Sequence, residues 1–345
     1  MKLLQGILPL GCILFLLACG ERTVRLPRSV GGQGEILVVM QKGHWDGAPG
    51  TAIREIFEKP MAGLPQREPR FKVAYTTPEG FGSLLTAHHN VILALIGTEA
   101  DTTAFFIQKN VHATGQLLLR AEAKDPVRWI ELFRQKSDDL VAIFEEHHRQ
   151  RIIARLSTER DVTIGSSVKA AHDMTLLIPG GFRVIVQDTN FSWIQRDQMR
   201  TGSGLDHNVI EGILIYHYPY VSDSTFNVDH LVNVRDEFTK AYVKGPAEGS
   251  YMIVQRGFEG VDLMPGGRAA QINGKFAYVM NGLFGMKGAK MGGPFVSLTT
   301  IDEQRQRVVT VEGFVYAPQF DKREHVRELE AILFSLQIEP ALNDQ

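Results

Sequence analysis

A long amphipathic segment near the middle of the sequence separates two sets of strand-like runs, and this order most limits the fold. The pattern predicts a helix that begins at Asp125-Pro126, with Asp as the N-cap and Pro at the first helical position. Apolar residues then recur at spacings of three and four to about Leu156. At about 1.5 Å per residue such a helix is roughly 45 Å long. It is long enough to cover a whole sheet and to end a first half of the protein.

The runs on either side of this helix have the composition of strands. In the first half the predicted strands are 35–40, 71–75, 91–96 and 117–121, with a helix near 51–61. In the second half they are 174–178, 182–186, 191–194, 210–218, 251–255, 269–280, 295–300 and 307–316. Asn273-Gly274 splits the run 269–280 into a tight hairpin. A helix is predicted over 228–243, and a last helix begins at Asp321 with Glu324 as a capping box.

This order predicts an α+β fold made of two halves, each a sheet layered with helices. We expect an N-terminal α/β domain over residues 35–160 and a C-terminal α+β domain over residues 161–345. The Pro-Gly entry at 178–182, the strand that carries Trp193 and the closing segment 308–338 weakly resemble a PsbP/Mog1-like sandwich. A likeness of fold implies no function.

The first residues have the pattern of a bacterial lipoprotein signal. A base at Lys2 precedes an apolar run from Leu3 to Ala18, and Cys19 follows directly. The run is shorter than the stretch of about 20 residues that spans a bilayer core of about 30 Å. We therefore expect residues 1–18 to be cleaved, Cys19 to be lipidated and residues 19–34 to form a flexible tether. The alternative is an ordinary secretory leader that ends by chance at a cysteine.

Cysteine content and charge restrict the classes of partner. The second cysteine, Cys12, lies in the predicted leader, so the mature chain cannot form an internal disulfide. A chain of 345 residues is long enough to bury a sufficient core without one. The formal net charge of −2 argues against a nucleic-acid partner, which usually requires a concentrated basic surface. The expected partners are a membrane, through the lipid, and another envelope protein or a cell-wall component.

Several short motifs together resemble a known family. They are Leu26-Pro27-x-Ser29-x-Gly31, the run 35–39, Trp45-x-Gly47, Gly50-x-x-Ile53-Arg54-x-x-Phe57, Leu64-Pro65-Gln66-x-Glu68-Pro69-x-Phe71 and His89-Asn90. They resemble an uncharacterised lipoprotein family of Bacteroidota, domain of unknown function family 4837, over nearly the whole mature chain. The resemblance implies a lipid-anchored protein of the outer membrane and no reaction. Because only one acid, Glu21, follows Cys19 closely, we expect it to face the periplasm.

Two histidine pairs are the candidate metal ligands. His88-His89 and His147-His148 contain the commonest ligand type, but neighbouring residues on a helix point about 100° apart and no HExxH frame is present. His148 also falls on the apolar stripe of the long helix, which favours a core histidine. We expect no metal and no other cofactor.

A glycine-rich segment, residues 282–293, could suggest a phosphate loop. It lacks the GxxxxGK[ST] pattern, and Pro294 and a strand follow it rather than a helix. The pattern favours a mobile connection between strands that contacts a partner. The candidate partner-binding residues are Leu283, Phe284, Met286, Lys287, Lys290 and Met291.

A basic cluster lies at the end of the long helix, at Arg149, Arg151, Arg155 and Arg160. Cations at a helix C-terminus complement the helix dipole, which gives the cluster a structural explanation. The functional alternative is attraction to anionic lipid headgroups or to cell-wall polymer.

We assign no motif in the sequence to catalysis. No GxSxG pattern is present, and we assign no catalytic residue. Trp45, Asp46, Arg54 and Glu68 stand beside predicted strand ends, where α/β proteins often bind ligands. The leading hypothesis is a non-catalytic binding or assembly component of the envelope. The alternatives are a hydrolase with a site between the halves and a small-ligand carrier, which requires a closed apolar pocket of roughly 300–1,000 Å³.

Overall fold

The computed structural model describes residues 25–82, 84–98 and 100–341. The predicted signal peptide, Cys19 and residues 20–24 of the predicted tether lie outside these ranges. The described chain is α+β, as predicted, with one large sheet in each half. None of the helices in these ranges combines the length and apolar character needed to cross a membrane.

The first half contains a five-stranded sheet in the order β2-β1-β3-β5-β4. Its strands are β1 (Glu35–Val39), β2 (Lys72–Thr76), β3 (Asn90–Ile96), β4 (Ala104–Lys109) and β5 (Leu117–Ala123). All pairings are parallel except that of β4 with β5. Strand β3, with its continuous apolar run, is the central strand of this sheet. Strand β4 was not predicted; it is an edge strand whose short apolar run ends before Gln108 and Lys109.

Four helices accompany this sheet, and the long helix predicted from Asp125 is in fact two of them. The helices are α1 (Lys42–Trp45), α2 (Ala48–Phe57), α3 (Pro126–Gln135) and α4 (Ser137–Glu159), with a break at Lys136. Asp125 caps α3 as expected, since its side chain accepts a hydrogen bond from the Arg128 N–H.

Packing of aromatic rings explains the break. Phe133 of α3 and Phe144 of α4 both contact the ring of Phe57, with centroids 6.2 and 5.3 Å away. In a straight helix the interval from Phe133 to Phe144 spans about 16 Å, so a straight helix could not bring both rings to Phe57. The break at Lys136 therefore allows Phe133 and Phe144 to pack against Phe57 in the core of the first half.

The second half is built on an antiparallel sheet in the order β10-β14-β15-β16-β9-β8-β7, with β13 also paired to β14. Its strands are β7 (Arg183–Gln187), β8 (Phe191–Gly202), β9 (Leu205–Pro219), β10 (Tyr251–Val254), β13 (Gly266–Ile272), β14 (Lys275–Lys287), β15 (Ala289–Asp302) and β16 (Arg307–Tyr316). Two small separate pairs are β6 (Met174–Thr175) with β17 (Gln337–Ile338), and β11 (Gly257–Phe258) with β12 (Val261–Asp262). The hairpin predicted at Asn273-Gly274 is confirmed, since it joins β13 to β14.

Helices pack on both faces of this sheet. They are α5 (Val162–His172), α6 (Val228–Tyr242) and α7 (Arg323–Leu333). Residues of α5 and α7 share one apolar core with the sheet, and residues of α6 share a second core with the other face. The α4 helix contributes to both halves: Phe144 belongs to the core of the first half and Leu156 to that of the second. One continuous helix therefore joins the two halves.

Candidate binding cleft

A cavity of about 600 Å³ lies at the junction of the two halves. The first half contributes a loop and one face of α4, and the second half contributes the start of β13, the middle of β14 and α7. The lining segments fall within 61–70, 145–152, 262–268, 281–283 and 327–330. Both halves are thus needed to form the cleft.

One wall of the cleft is a loop of the first half that reaches the second half, and we call residues 60–70 the arm. A bridge between Pro60 and Pro69 closes its base. The carboxylate of Glu68 in the arm accepts hydrogen bonds from the backbone N–H groups of Lys322 (2.8 Å) and Arg323 (2.9 Å). Because these N–H groups begin α7, a residue of the first half caps a helix of the second.

The arm also corrects one prediction and explains one motif. The capping box predicted at Asp321 and Glu324 is wrong, because no side chain of α7's own N-terminus caps it and Glu324 pairs instead with Arg323. The motif Leu64-Pro65-Gln66-x-Glu68-Pro69 makes this docking contact. Local sequence could not identify a cap that lies 254 residues away.

Charges of both signs line the cleft. Arg149 and Arg268 share the carboxylate of Glu330 at 3.3 and 3.1 Å, and Arg70 lies 3.3 Å from Glu145. Burial raises the pKa of Glu145, and the nearby charge of Glu330 adds to this effect while Arg70 opposes it. Apolar side chains stand beside these charges, namely Met61, Leu64, Ile152, Leu263, Met264 and Leu283. The site is therefore amphipathic.

The four histidines considered as metal ligands form hydrogen bonds with other residues of the protein. The His88 ring contacts Glu35 Oε1 (2.9 Å) and the Asn90 carbonyl (3.0 Å). His147 contacts the carbonyl of Gly115 at 3.0 Å. His148 lines the cleft, and its buried ring accepts a hydrogen bond from Arg151 at 3.0 Å. Within the described ranges no three His, Cys, Asp or Glu side chains are grouped so as to hold a metal ion.

His89 binds the part of the predicted tether that the structure describes. Its ring contacts Ser29 Oγ at 3.2 Å and the Gly31 carbonyl at 2.9 Å. Backbone N–H groups of Ser29 and Val30 donate to carbonyls of residues 114 and 87. In residues 27–34 the predicted tether is therefore fastened to the first half.

The candidate partner-binding segment at 282–293 is not a loop. It is the hairpin of β14 and β15, with its turn at Gly288, where φ is +85°. Phe284 and Met286 are buried in the core beneath α6, and Lys287 and Lys290 are exposed. Leu283 and Met291 line cavities. Glycines suggested a loop, but here they allow close packing, because a Cβ at Gly293 would overlap the carbonyl of Val315.

The basic cluster is explained by ion pairs rather than by the helix dipole. No basic residue lies in the last turn of α4, which contradicts the dipole explanation. Arg149 pairs with Glu146 and Glu330, and Arg155 pairs with Glu159 and with Glu328 of α7. Burial lowers the pKa of Arg151 to about 10. Arg160 is the C-cap residue of α4.

The polar and aromatic residues beside the strand ends of the first half do not line the cleft. Trp45 stacks on Tyr75 with ring centroids 4.6 Å apart, and the guanidinium of Arg54 lies 4.5 Å from the Trp45 ring. Asp46 pairs with Lys42 at 2.8 Å. These contacts stabilise the start of α2 and its approach to the sheet.

Two buried polar pairs were not predicted from the sequence. Arg235 of α6 and Glu312 of β16 are both fully buried and form two hydrogen bonds of 2.7 Å. His172 and Ser192 Oγ are 2.7 Å apart. A serine next to a histidine suggests a nucleophile, but Ser192 is 2% exposed and His172 is fully buried, so no substrate reaches the hydroxyl. No spacing in the sequence marks either pair.

The fold and cleft define a class of protein: an α+β protein of two halves with an amphipathic, charged cleft between them. The chain belongs to the family described as Domain of unknown function (DUF4837), whose model matches residues 161–335. A second model, Domain of unknown function (DUF8532), matches residues 29–157. Family 4837 was predicted correctly, but nearly all the motifs on which the resemblance rested lie within the segment that the second model matches.

Similar solved structures were also found. The Ran-binding protein Mog1p of Saccharomyces cerevisiae is 13% identical, with a TM-score of 0.30, over 48% of this chain and 90% of its own. A mutant of Mog1 is 13% identical, with a TM-score of 0.31, over 49% of this chain and 92% of its own. A Bacteroides thetaiotaomicron VPI-5482 structure is 8% identical, with a TM-score of 0.19, over 49% of this chain and 46% of its own. The TM-scores of the Mog1 matches are below 0.5, so these matches carry no argument about this chain. No curated protein matches the chain.

Proposed function

We propose that the protein is a lipid-anchored component of the cell envelope, attached to the outer membrane and facing the periplasm, that binds another envelope component without catalysis. The observation that carries the binding role is the cleft between the halves. Its volume of about 600 Å³ lies in the range of ligand sites, and its lining combines apolar side chains with a few charged groups. The leader and Cys19 carry the proposed anchoring, and the family resemblance supports it.

The lining of the cleft agrees with binding. Met61 and Met264 are flexible apolar side chains that adapt to different surfaces. Arg149 and Arg268 hold their guanidinium groups in place through the shared Glu330, which positions two sets of N–H donors at the cleft wall. The cleft therefore offers both burial of apolar groups and oriented hydrogen bonds.

Binding is tested with purified protein that is incubated with envelope extract and then examined for retained molecules. Met264→Arg places a long charged side chain at the mouth of the cleft, and Met199→Arg makes the same change on the exposed β8–β9 hairpin, away from the cleft. We expect wild type and Met199→Arg to retain the same molecule and Met264→Arg to lose it. Equal retention by all three, or none by wild type, contradicts the proposal.

Anchoring is tested by Cys19→Ser and cell fractionation. We expect the wild-type protein in the outer-membrane fraction, inaccessible to protease added to intact cells, and the variant in the soluble fraction. A variant that still pellets with membranes contradicts lipidation at this position.

A hydrolase is the second candidate, because the raised pKa of Glu145 and the proximity of Glu330 place two acids in one cleft. Release of products from envelope polymers by wild type, with loss of release in Glu145→Gln, would favour it. A small-ligand carrier is less well supported, because the cleft is charged and open on one side.

A further inference from the structure

Strand β13 has an open edge. Among the described residues it pairs with β14 alone, through the two-residue turn Asn273-Gly274, whose φ values of +51° and +77° are those of a type I′ turn. In such a hairpin Ile272 and Lys275 exchange backbone hydrogen bonds, and the pattern then alternates along the strand. The register runs without a shift from Ile272 to Gly266. The backbone N–H and C=O groups of Gly267, Ala269 and Gln271 therefore point away from β14.

These outward groups make no hydrogen bond with any described part of the chain. The neighbouring strand β10 lies on the same side of β14 and differs, because its Met252 N–H donates to the carbonyl of Val243 at 3.0 Å. An uncovered strand edge presents a regular row of donors and acceptors to a further strand. Of the two strands on this side of β14, only β13 has an uncovered edge.

A groove follows this open edge. The cleft ends at Arg268, and a cavity of about 360 Å³ shares Arg149 and Arg268 with it and continues to Asn273. A third cavity of about 270 Å³ shares Ile272 and Asn273 with the second and reaches residues 336–340. At about 3.3 Å per residue the seven residues of β13 extend the groove over roughly 23 Å.

The opposite wall of the groove is helical. Glu146, Arg149 and Gln150 of α4 line it beside β13, so the groove is bounded by a helix on one side and a strand edge on the other. A helix offers no backbone edge to a bound strand, and the space therefore suits one added strand rather than a further sheet. The ring of Tyr278 packs against Gly267, where a Cβ would overlap it.

We infer that this groove binds an extended polypeptide segment by strand addition to β13, with an apolar side chain of the segment entering the cleft. The inference rests on the proposed binding function and names its ligand class. A peptide in β conformation repeats donors and acceptors with the same alternation that Gly267, Ala269 and Gln271 present. Met61, Met264 and Leu283 provide the apolar contact at the cleft end of the groove.

The probe is a library of random decapeptides displayed on phage and selected on the purified protein. Selected peptides are synthesised, and their affinity is measured by fluorescence anisotropy with an N-methyl group at each backbone amide in turn. We expect N-methylation at every second position to weaken binding roughly tenfold, since it removes a hydrogen bond and adds a clash, and the intervening positions to tolerate it.

A matched pair of variants tests the strand itself. Ala269→Pro removes one outward N–H, and Ala269→Thr keeps it at the same exposed position. We expect the proline variant to bind peptide roughly tenfold more weakly and the threonine variant to bind as wild type does. If the proline variant does not fold, as judged by circular dichroism, the N-methyl scan decides alone.

The outcomes separate this inference from the proposed function. Peptides whose binding is lost in Met264→Arg but shows no alternation on N-methylation overturn strand addition and leave the cleft as a binding site. Strand addition is also overturned if no peptide is selected although wild type retains an envelope molecule that Met264→Arg loses. In that case the cleft remains a binding site. If wild type binds neither peptide nor envelope molecule, both proposals fail.

Discussion

Arg235 and Glu312 show how much of this protein depends on single side chains that meet across the fold. The pair is fully buried, and the guanidinium also lies 4.2 Å from the ring of Phe295. Removing one partner leaves an uncompensated charge in the core, whereas removing both does not. Burial likewise makes the protonated form of a histidine side chain costly.

We expect Glu312→Ala to lower the free energy of unfolding by about 3–5 kcal/mol. The double variant Arg235→Met with Glu312→Leu removes both charges and keeps apolar volume, so it should cost much less. Urea unfolding followed by tryptophan fluorescence measures both. The double variant could instead be at least as unstable as the single variant. The attraction between Arg235 and Glu312 would then be what stabilises the protein, and the unpaired charge left by Glu312→Ala would not explain its loss of stability.

Stability should depend on pH through His148 and His172. Burial is the main cause that lowers the pKa of each to about 4, from 6.5 for a free side chain. Between these values the unfolded chain binds more protons, so stability is constant above about pH 6.5 and falls as the pH drops toward 4. The loss is roughly 3 kcal/mol for each histidine.

Urea unfolding at several pH values between 7 and 4 tests this dependence. The variant His148→Asn removes one titrating group and should flatten the curve in this range, while losing some stability at pH 7. An unchanged slope in the variant would assign the dependence to other groups. Burial alone would raise the pKa of Glu324, but His148 and nearby arginines lower it to about 2, so its contribution to stability is lost only as the pH falls below about 4.5.

At the scale of elements, the hairpin of β14 and β15 shows why glycine content alone is a poor guide to loops. Gly288 forms the turn with a left-handed backbone, while Gly293 lies inside a strand where the carbonyl of Val315 fills the place of a side chain. The two glycines were both read as features of a mobile segment, yet one serves a turn and the other serves strand packing.

These two positions make a matched comparison. Gly293→Ala should lower the free energy of unfolding by about 2–3 kcal/mol, because the backbone of a neighbouring strand must move. Gly288→Asn should cost less than about 1 kcal/mol, since Asn tolerates a left-handed backbone. Thermal unfolding by calorimetry measures both, and equal losses would contradict the different roles of the two glycines.

The cap of α7 is a second element whose stability depends on a distant residue. Glu68→Ala removes both acceptors of the Lys322 and Arg323 N–H groups and should cost about 1–2 kcal/mol. Glu68→Gln keeps one oxygen acceptor and should cost less. Denaturant unfolding gives both values, and hydrogen exchange at the first turn of α7 localises the effect. A loss spread evenly over the chain, without faster exchange in α7, would contradict the cap.

At the scale of the whole molecule, α4 couples the two halves. Phe144 packs in one core and Leu156 in the other, so either half loses part of its core when the other unfolds. The arm adds a second connection through Glu68. We therefore expect the described chain to behave as one cooperative unit although it contains two sheets.

Gln150 is exposed on α4 between these two cores and allows a test of the coupling. Gln150→Pro interrupts the helix there and should cost about 3 kcal/mol and split unfolding into two steps, while Gln150→Ala should leave one. Trp129 reports on the first half and Trp193 on the second, with Trp45→Phe in the background of both variants. Two separate transitions in the protein with Gln150 intact would show that the halves are independent.

Much of the secondary structure was readable from local pattern. The run of β3, the Asn273-Gly274 hairpin and the presence of the last helix were recognised, because each depends on residues close in sequence. The break at Lys136 was not, because it depends on Phe57, far away in the chain. The cleft was anticipated only as a place between the halves, without its residues.

By itself the sequence determined an α+β chain of two halves, its strand and helix order, and its family, because periodicity and short motifs are properties of neighbouring residues. Tertiary structure alone decided the partners of Glu68, Glu330 and the four histidines, and the open edge of β13. These depend on which distant surfaces meet when the cores are buried. Burial is driven by apolar area, which is not directional, so the positions of charged groups follow from packing and not from their spacing along the chain.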